Sequence, residues 1–255
     1  KNIRFMYTAG KLRWNLSYWN QYYNGILCYG PYYEKKFNKR YKIPTKQMGY
    51  PRFDKYYSPG FNKNKLIKKF NCDPNKKTIV WITTWTNLSS VNKFIKSISS
   101  LGKDYNIVVR PHPLTKKTDP DNYKKLFYEN FNYVDDNDDD NVQLYAISDL
   151  MLYDYGGSMF GALYLNKNFA FLEMNSEAKK HQQLGSISSE DHFKSFFPDR
   201  IANRNNLKFV CNYCLINPPS NTILKNLKEE FFNTNYQGNS AERACNILMS
   251  NNWLL

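Results

Sequence analysis

Two short stretches of this sequence hold residues whose types and spacing suit chemistry. The first is Arg110-Pro111-His112-Pro113, which directly follows the apolar run Asn106 to Arg110. Two prolines fix the backbone on either side of the imidazole and so fix where it points. A histidine held this way, with an arginine two residues before it, suits acid–base work or charge stabilisation beside a phosphate. The chain has only three histidines, His112, His181 and His192, and only His112 is framed like this. The second stretch is Asp154-Tyr155-Gly156-Gly157-Ser158, set between apolar segments at 150–153 and 159–165. The glycines allow backbone to approach a ligand closely, and the unpaired N–H groups of a following helix suit a phosphate. Ser158 also has the side chain of a helix N-cap, which uses the same donors.

Other clusters carry less. Asp136, Asp138 and Asp140 alternate as in a calcium loop, but the sixth position is Asn141 and the twelfth is Ile147, where that loop requires Gly and Glu. The acidic run reads instead as a solvated turn capping a helix near Asn141. Cys211 and Cys214 have the spacing of one zinc pair without a second pair or a following histidine, and read as a buried strand edge. No nucleophile elbow and no nucleic-acid module occurs. None of these patterns points to a metal, a cofactor or a nucleic-acid partner.

The elements that position the two stretches alternate regularly from Thr78 onward. Strands are expected at 78–83, 106–110, 133–134, 150–153 and 169–172, and helices at 91–101, 121–130, 141–148 and 159–165. The helix at 91–101 places Phe94, Ile95, Ile98 and Leu101 at 3–4 spacing. Strand alternating with helix implies right-handed crossovers and a parallel sheet covered on both faces. Such a sheet binds ligands beyond the carboxyl ends of its strands, where both stretches lie. Residues 175–219 read as loops with a strand near Phe209-Val210, and helices are expected at 221–232 and 240–251. Before Thr78 the pattern is shorter: strands at 3–8 and 26–29, a basic helix at 32–40 with Tyr33 and Phe37 inward, then Met48 to Asp54 as a strand end running into a turn. Residues 61–77 read as a basic linker.

The 255 residues are 42% hydrophobic and 17% aromatic, enough for a sizeable core, and carry a net charge of +14. That charge is one-sided: residues 1–77 hold 18 Lys and Arg against 3 Asp and Glu, and the remainder holds 18 against 19. A basic surface of this kind attracts anionic lipid or a polyphosphate substrate. Five scattered cysteines suit a reducing compartment better than a disulfide framework. No apolar run approaches the length of a membrane span. The start at Lys1, inside a strand pattern, leads us to expect a fragment.

Read together, the segments resemble the CDP-glycerol glycerophosphotransferase family, the teichoic-acid polymerases and primases. Gly30-Pro31-Tyr32-Tyr33 with Lys36-Phe37 looks like the family's helix start after a strand. Gly49-Tyr50-Pro51-Arg52-Phe53-Asp54 looks like its Gly-x-Pro-Arg-x-Asp segment, and Thr83-Thr84-Trp85 like its Pro-Thr-Trp strand end. Arg110 to Pro113 looks like its Arg-x-His-Pro, Ser148-Asp149 through Tyr155 like its Ala-Asp…Thr-Asp-Tyr-Ser-Ser block, and Gly238 with Glu242-Arg243 like its terminal helix start. The resemblance implies an α/β, GT-B-like architecture: a Rossmann-like, nucleotide-donor-binding domain at 78–255 after the tail of a truncated acceptor-side Rossmann-like domain at 1–60. It implies a catalytic His112, with Arg110, Asp154, Gly156, Gly157 and Ser158 at the phosphates of CDP-glycerol or a similar donor. It implies an enzyme at the cytoplasmic face of the cell membrane, held to anionic lipid by the basic 1–77 region.

Three departures stand out. The family's His-Gly pair in the acceptor domain aligns with Tyr7-Thr8-Ala9-Gly10-Lys11, which has no histidine. Gln237 replaces the terminal aspartate. Gly156-Gly157-Ser158 replaces Ser-Ser and leans toward the Asp-Ser-Gly-Gly block of UDP-N-acetylglucosamine 2-epimerases, which keeps an epimerase or glycosyltransferase on the same scaffold as an alternative. A non-catalytic nucleotide-binding module is the other.

Overall fold

The computed structural model describes residues 1–58, 63–136, 141–174 and 188–250. Two parallel sheets organise it. The first has three strands in the order β1 (Ile3–Phe5), β2 (Gly25–Cys28), β3 (Thr45–Gln47). The second has six: β4 (Thr78–Ile82), β5 (Asn106–Arg110), β6 (Tyr133–Val134), β7 (Leu150–Tyr153), β8 (Phe169–Leu172) and β9 (Ile201–Ala202). Their spatial order is β6-β5-β4-β7-β8-β9, all parallel. This is the doubly wound dinucleotide-fold order, and its direction reverses between β4 and β7.

The helices follow from local sequence. In the first layer, α1 (Leu12–Asn15) follows β1 and α2 (Pro31–Arg40) follows β2. Pro31 starts α2 where its missing N–H costs nothing, and Tyr33 and Phe37 are its buried face. After α3 (Lys63–Lys69), the second layer contributes α4 (Val91–Ser100), α5 (Pro113–Thr118), α6 (Pro120–Phe127), α7 (Val142–Ile147) and α8 (Ser158–Tyr164). Four more helices close the described chain or lead to its end: α9 (Ser189–Ser195), α10 (Leu207–Ile216), α11 (Asn221–Phe231) and α12 (Ser240–Met249).

The strand reading near Phe209 is corrected: α10 covers it. Leu207, Val210, Cys211 and Cys214 are buried at helical spacing, so the two cysteines form a helix face against the sheet rather than a strand edge. The β-branched and aromatic pair at 209–210 hid that period. The expected loop region also hides α9. His181 and Asp138 to Asp140 lie outside the described residues.

Alternation along the central strands divides the core. Ile79, Trp81, Val109, Leu150, Leu152 and Ala170 face α4, α6 and α10. Val80, Ile82, Val108, Met151, Tyr153 and Phe171 face the other way, into a cluster that also takes in Met6, Leu27, Tyr33, Tyr50, Phe53, Phe231 and Phe232. That second cluster therefore runs from one sheet to the other. Its centre is aromatic: Tyr50 stacks on Phe232 at 5.1 Å and packs against Tyr29 at 4.2 Å, and Phe53 meets Tyr145 edge-on at 5.2 Å. The carboxyl-terminal helices return to the first layer. Asp54 accepts from the N–H groups of Ser240 (3.1 Å) and Ala241 (2.7 Å), capping α12. Asn233 N–H donates to the Tyr29 carbonyl at 2.9 Å.

Candidate active site

The carboxyl ends of both sheets open on one cleft of ≈ 220 Å³. Tyr7, Thr8 and Lys11 reach it after β1, and Tyr50 and Arg52 after β3. From the larger sheet come Thr83 and Thr84 after β4, Arg110 to Pro113 after β5, and Tyr155 to Ser158 after β7. The cleft thus lies at the topological switch point between β4 and β7, where parallel sheets place ligands.

The β5 end carries His112. Its backbone N–H donates to Thr83 Oγ1 at 3.3 Å, while Thr83 N–H donates to the Arg110 carbonyl at 3.0 Å. Thr83 thus ties the histidine loop to β4 through both its hydroxyl and its N–H. The Leu114 N–H donates to His112 Nδ1 at 3.2 Å, so the imidazole caps α5. With Nδ1 accepting, the neutral ring carries its proton on Nε2. The ring stacks on Trp85, with centroids 5.8 Å apart and planes at 21°. Burial first, and the charge of Lys11 second, lower its pKa to about 4. His112 is therefore a neutral hydrogen-bond donor at physiological pH.

Arg110 lines the same cleft but spends charge on Asp135, with Nη1 to Oδ2 at 2.8 Å and the Asp135 side chain 1% exposed. Arg110 thus faces the cleft as a guanidinium fork already balanced by a carboxylate.

Asp154 requires a correction. It does not line the cleft. Its carboxylate is 1% exposed and accepts from Thr84 N–H (3.1 Å to each oxygen), Ser90 N–H (2.9 Å), Ser90 Oγ (3.0 Å) and its neighbour Tyr155 N–H (2.8 Å). Burial raises its pKa and these hydrogen bonds offset part of the rise, which leaves it at about 6, so the group is mostly ionised at neutral pH. A carboxylate filled with donors in this way does not face an anionic donor. It latches the loops after β4 and β7 to each other.

Gly156, Gly157 and Ser158 line the cleft, and the glycines have a further cause. Gly156 has φ +114°, a conformation that favours glycine. Gly157 has an ordinary φ of −65°, but a Cβ there would collide with the Thr8 hydroxyl. A Cβ on Gly10, facing this turn, would lie 2.9 Å from Gly156 C and from Gly157 N. The glycine pair lets the loop after β1 press against the loop after β7.

Tyr7, Thr8, Lys11, Tyr50 and Arg52 were not among the residues expected at the site. Tyr7 to Lys11 drew notice only for lacking a histidine, and Arg52 only as part of a family segment. The excess of basic residues in 1–77 was the one signal pointing to cations here. Among the described residues, no cluster of His, Cys, Asp and Glu is arranged to hold a metal ion, and no helix is long and apolar enough to cross a membrane.

The profile of the family described as CDP-Glycerol:Poly(glycerophosphate) glycerophosphotransferase matches residues 8–250. No curated relative matches the chain by sequence. Among solved structures, the wall teichoic acid polymerase TagF is similar with a TM-score of 0.63 and 18% identity, over 92% of this chain and 59% of that one. A variant of the same polymerase soaked with CDPG gives 0.51 and 18%, over 93% and 55%. A glycosyltransferase from Rickettsia africae gives 0.52 and 12%, over 98% and 71%. The chain thus spans under two thirds of the TagF chain, and the shared fold is GT-B.

Proposed function

Because the chain belongs to the CDP-glycerol:poly(glycerophosphate) glycerophosphotransferase family, we propose that the protein transfers glycerol phosphate, or a related polyol phosphate, from a CDP-linked donor to a cell-surface polymer or lipid-linked acceptor. The observation that carries this reading is the meeting of both sheets' carboxyl ends on one cleft that holds a neutral imidazole and several cations. An acceptor hydroxyl oxygen attacks the phosphorus of the glycerol phosphate group. The bond from that phosphorus to the bridging oxygen breaks, CMP leaves, and the hydroxyl proton is lost to solvent. His112, with its proton on Nε2, stabilises the charge developing on the phosphoryl oxygens by hydrogen bonding rather than as a general base. Arg110 and the Gly156 to Ser158 backbone line the side on which the donor phosphates would sit. The glycine turn that resembles an epimerase block has a packing cause in Thr8, so it gives no separate support to an epimerase. The basic first third suits work at an anionic membrane face.

The test is CMP release by the full-length protein given CDP-glycerol, with UDP-N-acetylglucosamine supplied in a parallel reaction. His112→Ala lowers kcat roughly 100-fold or more with donor affinity nearly unchanged. Wild-type turnover in that variant overturns the role given to His112. The pH dependence follows from the lowered pKa: His112 stays neutral from pH 7 down to about 4. The rate profile accordingly shows no break near 6.5 from this group. The contribution of the neutral ring to stability, present above its ordinary pKa of 6.5, is lost as pH falls toward 4.

A further inference from the structure

Lys11 enters the cleft from the loop after β1, whereas His112 comes from the larger sheet. Its backbone has φ 56°, the left-handed region that an L side chain rarely adopts, and its N–H donates to Glu190 Oε1 at 2.8 Å. Glu190 is fully buried and also accepts from the Ser189 hydroxyl at 3.0 Å. The preceding Gly10 is clamped between Glu190 and the glycine turn after β7. Lys11 is thus held in an unusual conformation by a buried carboxylate and by the other layer, with its side chain in the cleft and Nζ 6.0 Å from the Trp85 ring. His112 stacks on the same indole.

Glu190 takes the backbone N–H of Lys11, and the ammonium makes no ion pair with a carboxylate among the described residues. Arg110, by contrast, is paired with Asp135. A half-buried cation facing an open cleft without a carboxylate partner is set up to receive an anion.

We propose that Lys11 is a phosphate-binding residue of this cleft, its ammonium contacting the diphosphate of the nucleotide donor from the amino-terminal layer. This rests on the donor reading above. It also gives Lys11 a second task, because its charge helps keep His112 in the neutral, donating form. Other groups face the same space: Arg52, Arg110, Tyr7, Tyr50 and Tyr155 line the cleft, and the buried Asp154 and Glu190 carboxylates act on Lys11. A substitution at Lys11 therefore leaves His112 near two arginines and removes one cation.

The test uses full-length protein, with inorganic pyrophosphate and CDP as probes measured by calorimetry, and the His112 ring titrated by NMR. Lys11→Met and Lys11→Gln weaken pyrophosphate and CDP binding by about 10-fold or more, while Lys11→Arg keeps most of the affinity. In the Met and Gln variants the His112 midpoint moves up from about 4 toward its ordinary value, a shift that a merely structural lysine would not produce. Unchanged pyrophosphate affinity in folded Lys11→Gln overturns the proposal, as does a wild-type protein that binds no pyrophosphate. A wild-type protein that binds pyrophosphate through Lys11 yet releases no CMP from CDP-glycerol overturns the transferase reading and leaves Lys11 in place.

Discussion

At the scale of single residues, the cleft separates groups that face a ligand from groups that hold the facing groups still. Asp154 belongs with the second. Its carboxylate takes five hydrogen bonds, four of them from Thr84 and Ser90 beyond β4. Asp154→Asn keeps the shape but turns one acceptor into a donor facing other N–H groups. Leaving buried donors unsatisfied costs about 2–3 kcal/mol. Urea denaturation measures this, and a loss under about 0.5 kcal/mol contradicts the latch. The sequence placed Asp154 at the right strand end but assigned it to the donor. A carboxylate in a phosphate-friendly turn looks the same in sequence whether it points to ligand or to backbone, and only its partners decide. His112 was legible because two prolines constrain it locally. Its tautomer was not, since that depends on the Leu114 N–H, and neither was its neutral state, which depends on burial and on the Lys11 charge.

At the scale of elements, the loops after β1 and β7 meet backbone to backbone. Gly157 has helical dihedral angles that alanine adopts freely, so Gly157→Ala tests packing alone. The added methyl meets the Thr8 hydroxyl, and overpacking of this kind costs about 1–3 kcal/mol. Thr8→Ala removes the hydroxyl and leaves its Cβ 3.3 Å from the new methyl. The double variant therefore recovers part of the loss, and denaturation of the four proteins forms a double-mutant cycle. Strictly additive effects contradict the close approach of the two loops. Elements with strong local patterns were readable from sequence: β7 and β8 have their expected bounds, and α2 and α4 carry their expected inward faces. The helix α10 was not, because a β-branched and aromatic pair inside it imitates a strand. Nor was α5, whose first cap is the histidine ring itself.

At the scale of the whole molecule, the aromatic cluster around Tyr50 and Phe232 joins the layers, and the carboxyl-terminal helices pack back across to the first. The basic residues are concentrated in the first third and are nearly balanced elsewhere. A charge set this lopsided favours attraction to anionic surfaces, and salt weakens that attraction by screening it. The full-length protein is expected to co-sediment with vesicles containing phosphatidylglycerol, to ignore neutral phosphatidylcholine vesicles, and to be released by raising salt from 0.1 M toward about 1 M. Equal binding to both kinds of vesicle counts against an electrostatic membrane contact.

The sequence by itself determined the alternation of strand and helix, the strand ends that carry His112 and the glycine turn, and the resemblance to the family. Those are local or near-local properties: periodicity, proline and glycine constraints, and short motifs in order. Only the tertiary structure decided which groups share the cleft. Lys11 comes from β1, His112 from β5 and Gly157 from β7, positions separated by dozens of residues and brought together by crossovers that sequence spacing does not encode. Long-range contacts likewise give Gly157 its cause in Thr8, hold Asp154 inward on Thr84 and Ser90, and bury His112 beside the Lys11 charge, so that the ring stays neutral.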